Sequence, residues 1–141
     1  MATKPDFTGK WQVYKSENFE DFLAANGAPW LVRKAVPKLS PVTQIEQTAG
    51  NEEFSVTSKT AMFTREEKFS IGKEFEVAQM DGSKSKAIAN WEEDKLVINY
   101  EPVEGNHPKP QKLVRELKDG EIVMTMLIDD VEAKRYLKKI E

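Results

Sequence analysis

Gln111-Lys112-Leu113-Val114-Arg115-Glu116-Leu117, Glu121-Ile122-Val123-Met124-Thr125-Met126-Leu127 and Val131-Glu132-Ala133-Lys134-Arg135-Tyr136-Leu137-Lys138 follow one another, with Asp119-Gly120 and Asp129-Asp130 marking the turns between them. Alternate side chains of a strand point to opposite faces. Leu113, Arg115 and Leu117 therefore share one face, as do Ile122, Met124, Met126 and Ile128, and as do Val131, Ala133, Arg135 and Leu137. Glu132, Lys134, Tyr136 and Lys138 take the opposite face of the last segment. Asp-Gly and similar pairs favour tight hairpins, so the three segments read as an antiparallel run with one apolar face. Both arginines point where their apolar neighbours point. A guanidinium aimed inward needs an anion or a hydrogen-bonded water cluster, because an unpaired buried charge is too costly to keep. Two such cations inside one small β domain imply a cavity that receives a ligand carboxylate. Met124 and Met126, which pack adaptably, suit an interior that is large and partly wet.

The same pattern extends back along the chain. Thr43–Gln47, Phe54–Lys59, Lys68–Ile71, Phe75–Gln79, Lys84–Trp91 and Lys95–Tyr100 read as short strands. Turn signals separate them at Gly50-Asn51, Gly72-Lys73, Asp81-Gly82 and Glu93-Asp94, and Gly105-Asn106 precedes the C-terminal run. The N-terminal strand Gly9-Lys10-Trp11-Gln12-Val13-Tyr14 completes a set of ten. No helical pattern alternates with them, so the sheet is antiparallel. It manages its edges by closing into an up-and-down barrel or by stacking as a sandwich. One helix hairpin interrupts the series. Ser16 is placed to cap the first helix, whose stripe is Phe19, Phe22 and Leu23. Asn26-Gly27 stops it, Pro29 opens the second helix through Val36, and Pro37 and Pro41 end that one.

The 141 residues suit a single domain, 1–141, with room for a substantial interior. A net charge of −3, from 21 basic and 24 acidic residues mixed along the chain, argues against a nucleic-acid binder. No apolar run approaches the roughly 20 residues of a membrane span. Met1 to Lys4 is polar and unlike a secretory signal, and with no cysteine there is neither a disulfide framework nor a thiolate metal site. The expectation is a soluble cytoplasmic monomer. No nucleophile motif, zinc-protease motif or phosphate-binding glycine loop is present. His107, the only histidine, lies in a Gly-Asn-His-Pro loop with no partner for a metal. No catalytic residue, metal site or cofactor is expected.

Gly9-Lys10-Trp11-Gln12-Val13 followed by Asn18-Phe19-Glu20-Asp21-Phe22-Leu23 resembles the N-terminal signature of the intracellular lipid-binding proteins, which include fatty-acid-binding and cellular retinoic-acid-binding proteins. Phe69-Ser70-Ile71-Gly72-Lys73-Glu74-Phe75, Lys95-Leu96-Val97 and Leu113-Val114-Arg115-Glu116-Leu117 before Asp119-Gly120 continue the likeness in order. The resemblance implies an all-β, ten-stranded antiparallel up-and-down barrel, a β-clam of calycin type, capped by the helix hairpin between strands 1 and 2. Ser16 to Ala35, Asn90-Trp91-Glu92, the loop from Glu104 to Lys109 and Asp129-Asp130-Val131 look most like the retinoic-acid-binding branch. Lys134-Arg135 and the Lys138-Lys139-Ile140 ending look more like liver-type fatty-acid or bile-acid binders.

The family holds a ligand carboxylate with an arginine on one strand and an Arg-any-Tyr triplet on the last. Those positions fall here on Arg115 and Arg135. The triplet's tyrosine position is Leu137, and Tyr136 falls one place early, on the outer face. A one-residue bulge in the last strand would be needed to bring Tyr136 to the head group. Phe19, Leu23, Pro41, Thr43, Met62 and Phe63 match the entrance or cavity wall, which Met124, Met126 and Leu137 extend; plain packing is the alternative for each. The implied function is intracellular binding and transport of a hydrophobic carboxylate, a long-chain fatty acid or retinoic acid. The alternatives are a carrier of a neutral retinoid or bile acid, and a membrane-associated structural or interaction protein of the same fold. Arg33 and Lys34 on the helical cap offer a transient contact with anionic membranes, or else ordinary solvated surface.

Overall fold

Pairing of each strand with its sequence neighbour is the dominant feature of the computed structural model, which describes residues 5–25, 30–35, 40–48, 50, 52–59, 64–78, 84–102 and 110–140. The elements run β1 (Gly9–Glu17), α1 (Phe19–Ala25), α2 (Trp30–Ala35), β2 (Val42–Gln47), β3 (Glu53–Lys59), β4 (Thr64–Ser70) and β5 (Phe75–Ala78). They continue with β6 (Lys84–Glu92), β7 (Lys95–Pro102), β8 (Gln111–Lys118), β9 (Glu121–Ile128) and β10 (Val131–Lys139). All ten strands lie in one antiparallel sheet, in the order β4-β3-β2-β1-β10-β9-β8-β7-β6-β5. The pairing of β1 with β10 joins the two ends of the chain. The sheet curls into a nearly closed barrel whose seam lies between β4 and β5.

Aromatic rings bridge that seam. Phe69 of β4 stacks on Phe75 of β5 with centroids 5.0 Å apart, and Phe54 stacks on Phe69 at 5.2 Å. Trp91 meets Phe54 at 5.9 Å and Phe7 at 6.0 Å. Phe7, Ile45, Leu96, Ile98, Ile122 and Ile128 are almost wholly excluded from solvent. Each contributes about 1.5–3 kcal/mol relative to an exposed side chain. The tight turns fall where the glycine and acidic signals stand: Gly72 and Gly120 take φ of 79° and 81°, and Glu93, Asp119 and Asp129 also enter the left-handed region. Gly9, by contrast, has a φ of 141° at the start of β1.

Two sequence expectations are corrected here. Ser16 does not cap α1: β1 continues to Glu17, and the chain turns at Asn18, whose φ is 56°. Asparagine tolerates that left-handed conformation. Its carbonyl accepts the amide of Phe22 at 3.0 Å, and its side chain donates to the Glu132 carbonyl at 3.3 Å, tying the start of α1 to β10. Phe19, Phe22 and Leu23 then pack on Met126, Ile128 and Ala133, so the cap is bonded to β9 and β10 by its apolar stripe. Second, β4 begins at Thr64 rather than Lys68, which adds Arg65 and Glu67 to the barrel. The expected stop at Asn26-Gly27, Pro29, Val36, Pro37, the turns at Asp81-Gly82 and Gly105-Asn106, His107, and the wall residues Met62 and Phe63 lie outside the described residues.

Candidate functional site

The register of the last three strands decides how the arginines stand to each other. Arg115 of β8 pairs with Met124 of β9, and Met124 pairs with Arg135 of β10. The three residues form one row across adjacent strands, which lie about 4.8 Å apart. Leu96 continues the row on one side and Ser16 on the other. Both arginines are buried, Arg115 at 8% and Arg135 at 6% exposure. They project from the same face as the buried Ile122, Met126, Ile128, Ala133 and Leu137.

Arg135 donates its Nε–H to Ser16 Oγ at 2.9 Å, and its guanidinium carbon stands 4.2 Å from the Phe19 ring centroid. α1 thus lays an aromatic face over the cation, an arrangement that stabilises charge by the ring quadrupole. Burial pulls the Arg135 pKa down to about 10, which leaves it charged at neutral pH. Arg115 Nη1 is buried and has no hydrogen-bond partner among the described residues. A buried donor left in that state costs about 1–3 kcal/mol, more for a charged group. An arriving carboxylate would remove that cost.

Ser16 reaches Arg135 because β1 carries one extra residue. Val13 pairs with Leu137, and the next pair is Lys15 with Tyr136, leaving Tyr14 as the bulged residue. Strict alternation from Trp11 and Val13 would turn Lys15 inward; the bulge turns Ser16 inward instead. β10 itself runs through without a shift. Tyr136 accordingly stays outside: its hydroxyl donates to Glu17 at 3.2 Å, and Lys15 Nζ lies 5.1 Å from its ring centroid. Tyr14 flanks it, with its hydroxyl donating to Glu121 and Lys138 over its ring at 4.5 Å. The irregularity that would have brought Tyr136 to the head group is in the opposite strand, where it reinforces the outward position.

The remaining expected positions divide. Leu23, Met126 and Leu137 are buried, Met124 is half-buried between the two arginines, and Phe19 touches Arg135. Thr43 is buried and shares a hydrogen bond with Ser58 at 3.1 Å, while the Pro41 carbonyl accepts the Val13 amide at 3.3 Å. Inward-facing Leu113, Leu117 and Met124 pack against the core yet keep accessible surface. A cleft of about 510 Å³ opens at the junction of β1 and α1, and its lining includes Ser16 and Phe19, the two groups that touch Arg135.

Sequence reading missed a second polar group. Glu67 is buried on the inner face of β4, paired through Oε1 with Arg65 Nη2 at 2.7 Å. Tyr100 of β7 reaches it across the interior, its hydroxyl 3.3 Å from Oε2 and 3.5 Å from Oε1. Burial and the neighbouring Glu67 push the Tyr100 pKa up, against the smaller opposing influence of Arg65 and Arg115. The signal was the alternation Arg65, Glu67, Phe69 against Glu66, Lys68, Ser70. No group of three or more metal-ligating side chains occurs among the described residues, and none of the described helices is long and apolar enough to cross a membrane.

Comparison with known proteins agrees with this architecture. The family model described as lipocalin / cytosolic fatty-acid binding protein matches residues 8–139. The chain is 37% identical over 134 residues to cellular retinoic acid-binding protein 2 of Rattus norvegicus, covering 93% of this chain and 96% of that protein. It is 35% identical over 132 residues to cellular retinoic acid-binding protein 1 of Hippocampus comes, with the same coverage. Among solved structures, the REP1-NXSQ fatty acid transporter superposes with a TM-score of 0.87 at 29% identity, over 96% of this chain and 97% of that one.

Proposed function

Since the chain belongs to the lipocalin / cytosolic fatty-acid binding protein family, we propose that it is a non-covalent carrier of a hydrophobic carboxylate, a long-chain fatty acid or retinoic acid, held inside the barrel. The observation that carries the reading is the row Arg115–Met124–Arg135, two buried guanidiniums flanking a half-buried methionine. Each arginine offers charge-assisted bonds to a carboxylate, and the partly accessible Leu113, Leu117 and Met124 offer apolar surface to the chain. Removing that chain from water contributes about 25 cal/mol per Å². With Leu137 in place of an inward tyrosine, the head group rests on the arginines and Ser16.

The carrier works as a cytoplasmic monomer, in line with the cytosolic members of its family. Trp30 and Leu31 on α2 are 60% and 72% exposed beside Arg33 and Lys34. Lys34 is paired with Glu20 of α1, so Trp30, Leu31 and Arg33 give the cap its tip for transient contact with anionic bilayers. Calorimetric titration with a long-chain acid and its matching alcohol tests the main reading. The acid binds more tightly if the arginines recognise the head group; equal affinity discards the carboxylate and favours a neutral retinoid. Vesicle sedimentation at low and high salt tests the cap, with salt-sensitive binding to anionic vesicles expected.

A further inference from the structure

Arg65, Glu67 and Tyr100 make a polar cluster inside the barrel, distinct in its residues from the row that holds Arg115 and Arg135. β4 and β7 are not neighbours in the sheet, so Tyr100 meets Glu67 through the interior. Their two contacts, 3.3 and 3.5 Å, are long for a hydroxyl on a carboxylate, where about 2.5–2.7 Å is usual. Oε1 is well satisfied by Arg65 Nη2 at 2.7 Å. Among the described residues Oε2 has only the long contact, and a carboxylate oxygen accepts two bonds. Arg65 Nε is buried and has no hydrogen-bond partner among the described residues. Nε and Nη2 form one edge of the planar guanidinium fork, so the unused N–H lies beside the Glu67 contact. The ion pair therefore presents an acceptor with spare capacity and a donor without an acceptor, next to each other.

We propose that Arg65, Glu67 and Tyr100 form a second binding site within the barrel that recognises a hydroxyl group on the ligand chain, making a hydroxylated long-chain acid the preferred ligand. The proposal rests on the carboxylate reading of Arg115 and Arg135. A hydroxyl donates one bond and accepts another, and so completes Oε2 and Nε together. A ketone or ester accepts only and leaves Oε2 as it was. An ammonium donates only and stands against Arg65; a second carboxylate stands against Glu67. The neutral alcohol alone matches both. The position along the chain follows from the register: Leu96 lies in the row with Arg115, and Tyr100 is four residues farther along β7, about 13 Å at strand spacing. The hydroxyl thus falls along the chain, apart from the acid head, while Arg115 stays close enough for its charge to reach Tyr100.

Titration of the intact protein with octadecanoic acid and 12-hydroxyoctadecanoic acid tests this. The hydroxylated acid is expected to bind about tenfold more tightly, because a site built to hydrogen-bond a hydroxyl is left unpaired by the analogue without one. In Glu67→Gln the preference is expected to shrink to about twofold or less as the acceptor loses its charge. Arg65→Lys carries the same expectation should that variant fail to fold, since lysine keeps the ion pair and has no Nε–H. Equal affinity of the wild-type protein for the two acids overturns the second site and leaves the carboxylate reading standing. A full preference retained in both variants also overturns it, by placing the hydroxyl elsewhere. Failure of the wild-type protein to bind either acid overturns both readings.

Discussion

The barrel holds inward-facing arginines in two settings. On β4, Arg65 is matched within its own strand by Glu67, two residues on and on the same face, with Tyr100 reaching the pair from across the interior at 3.3 Å and Arg65 Nε left without a described partner. On β8 and β10, Arg115 and Arg135 flank a methionine; Arg115 keeps a buried N–H without a described partner, and Arg135 is oriented by a serine hydroxyl and a phenylalanine ring. A buried cation with its counter-charge built in tends to fix a conformation. One with a donor still unused among the described residues, as at Arg115 Nη1, can take an anion from outside. Burying charge costs the apo protein stability in the second setting, and on the proposed carboxylate reading that cost becomes selectivity once the acid arrives.

The largest effect that would break this contrast is expected at Arg115. Arg115→Gln should weaken acid binding by about 10- to 100-fold, the equivalent of about 1.5–3 kcal/mol for a charge-assisted bond. Folding should be unharmed or improved, because a buried charge is gone. Titration with acid and alcohol, together with thermal unfolding, measures both sides. An unchanged acid affinity would mean that Arg115 is not the group that meets the ligand's charge. The mirror-image outcome is expected at Glu67. Glu67→Gln should destabilise the fold by about 2 kcal/mol, below the 3–5 kcal/mol of fully buried pairs, since Arg65 is one-third exposed. Denaturant unfolding checks it; a stabilised variant would show that the pair is not structural.

How the two settings were legible in the sequence differs for the same reasons. Arg115 and Arg135 could be placed by alternation alone, because their apolar neighbours Leu113, Leu117, Ala133 and Leu137 fix the face and β8 and β10 run without a shift. Leu137 rather than Tyr136 on the inner face followed from the same parity. Ser16 could not be placed, because the bulge at Tyr14 reverses the parity of β1 and nothing in Tyr14-Lys15 announces it. A serine before Glu17-Asn18-Phe19 also looks like a helix cap. Glu67 was hidden in the charged run Arg65-Glu66-Glu67-Lys68, where composition suggests a solvated turn. Only its spacing from Phe69 points inward, and the hydrogen bond to Tyr100 is a contact between strands that do not pair.

Alkaline pH sharpens the contrast, because the two regions respond with opposite sign. Burial holds Tyr100 protonated above its ordinary pKa of 10.0. Its contribution is complete below pH 10 and is lost as the pH rises beyond that, where the unfolded chain releases the proton first. Arg135 behaves the other way: burial holds its pKa at about 10 in the folded protein, below the ordinary guanidinium value of the unfolded chain. Between those values the unfolded chain holds more protons, so this site's contribution to stability increases with pH. Either effect is bounded at about 1.4 kcal/mol per pH unit. Unfolding free energies measured from pH 9 upward should therefore fall less steeply in Tyr100→Phe than in the wild-type protein, and more steeply in Arg135→Gln. Parallel profiles for all three would remove the distinction. Acid affinity should be constant from pH 7 to 9 and decline above about pH 10 as Arg135 discharges.

The smallest effect is expected at Tyr136, and it tests the face on which the whole contrast depends. Its hydroxyl bonds Glu17 at 3.2 Å on the outer surface, and its ring lies under Lys15. Tyr136→Phe keeps the ring and loses one exposed, solvent-screened bond, with little effect on stability. Acid affinity should stay within about twofold of the wild-type value, since no part of Tyr136 approaches the row of Arg115 and Arg135. A tenfold loss on this substitution would require β10 to be turned over. A one-residue slip exchanges every inward side chain for its outward neighbour. Tyr136 and Lys134 would then face the interior, Arg135 would leave it, and the bulge at Tyr14 would no longer set Ser16 against the guanidinium. Because Leu137 and Ala133 would have to move out of the core at the same time, at about 1–3 kcal/mol each, the outward position of Tyr136 is held by its neighbours rather than by its own bond.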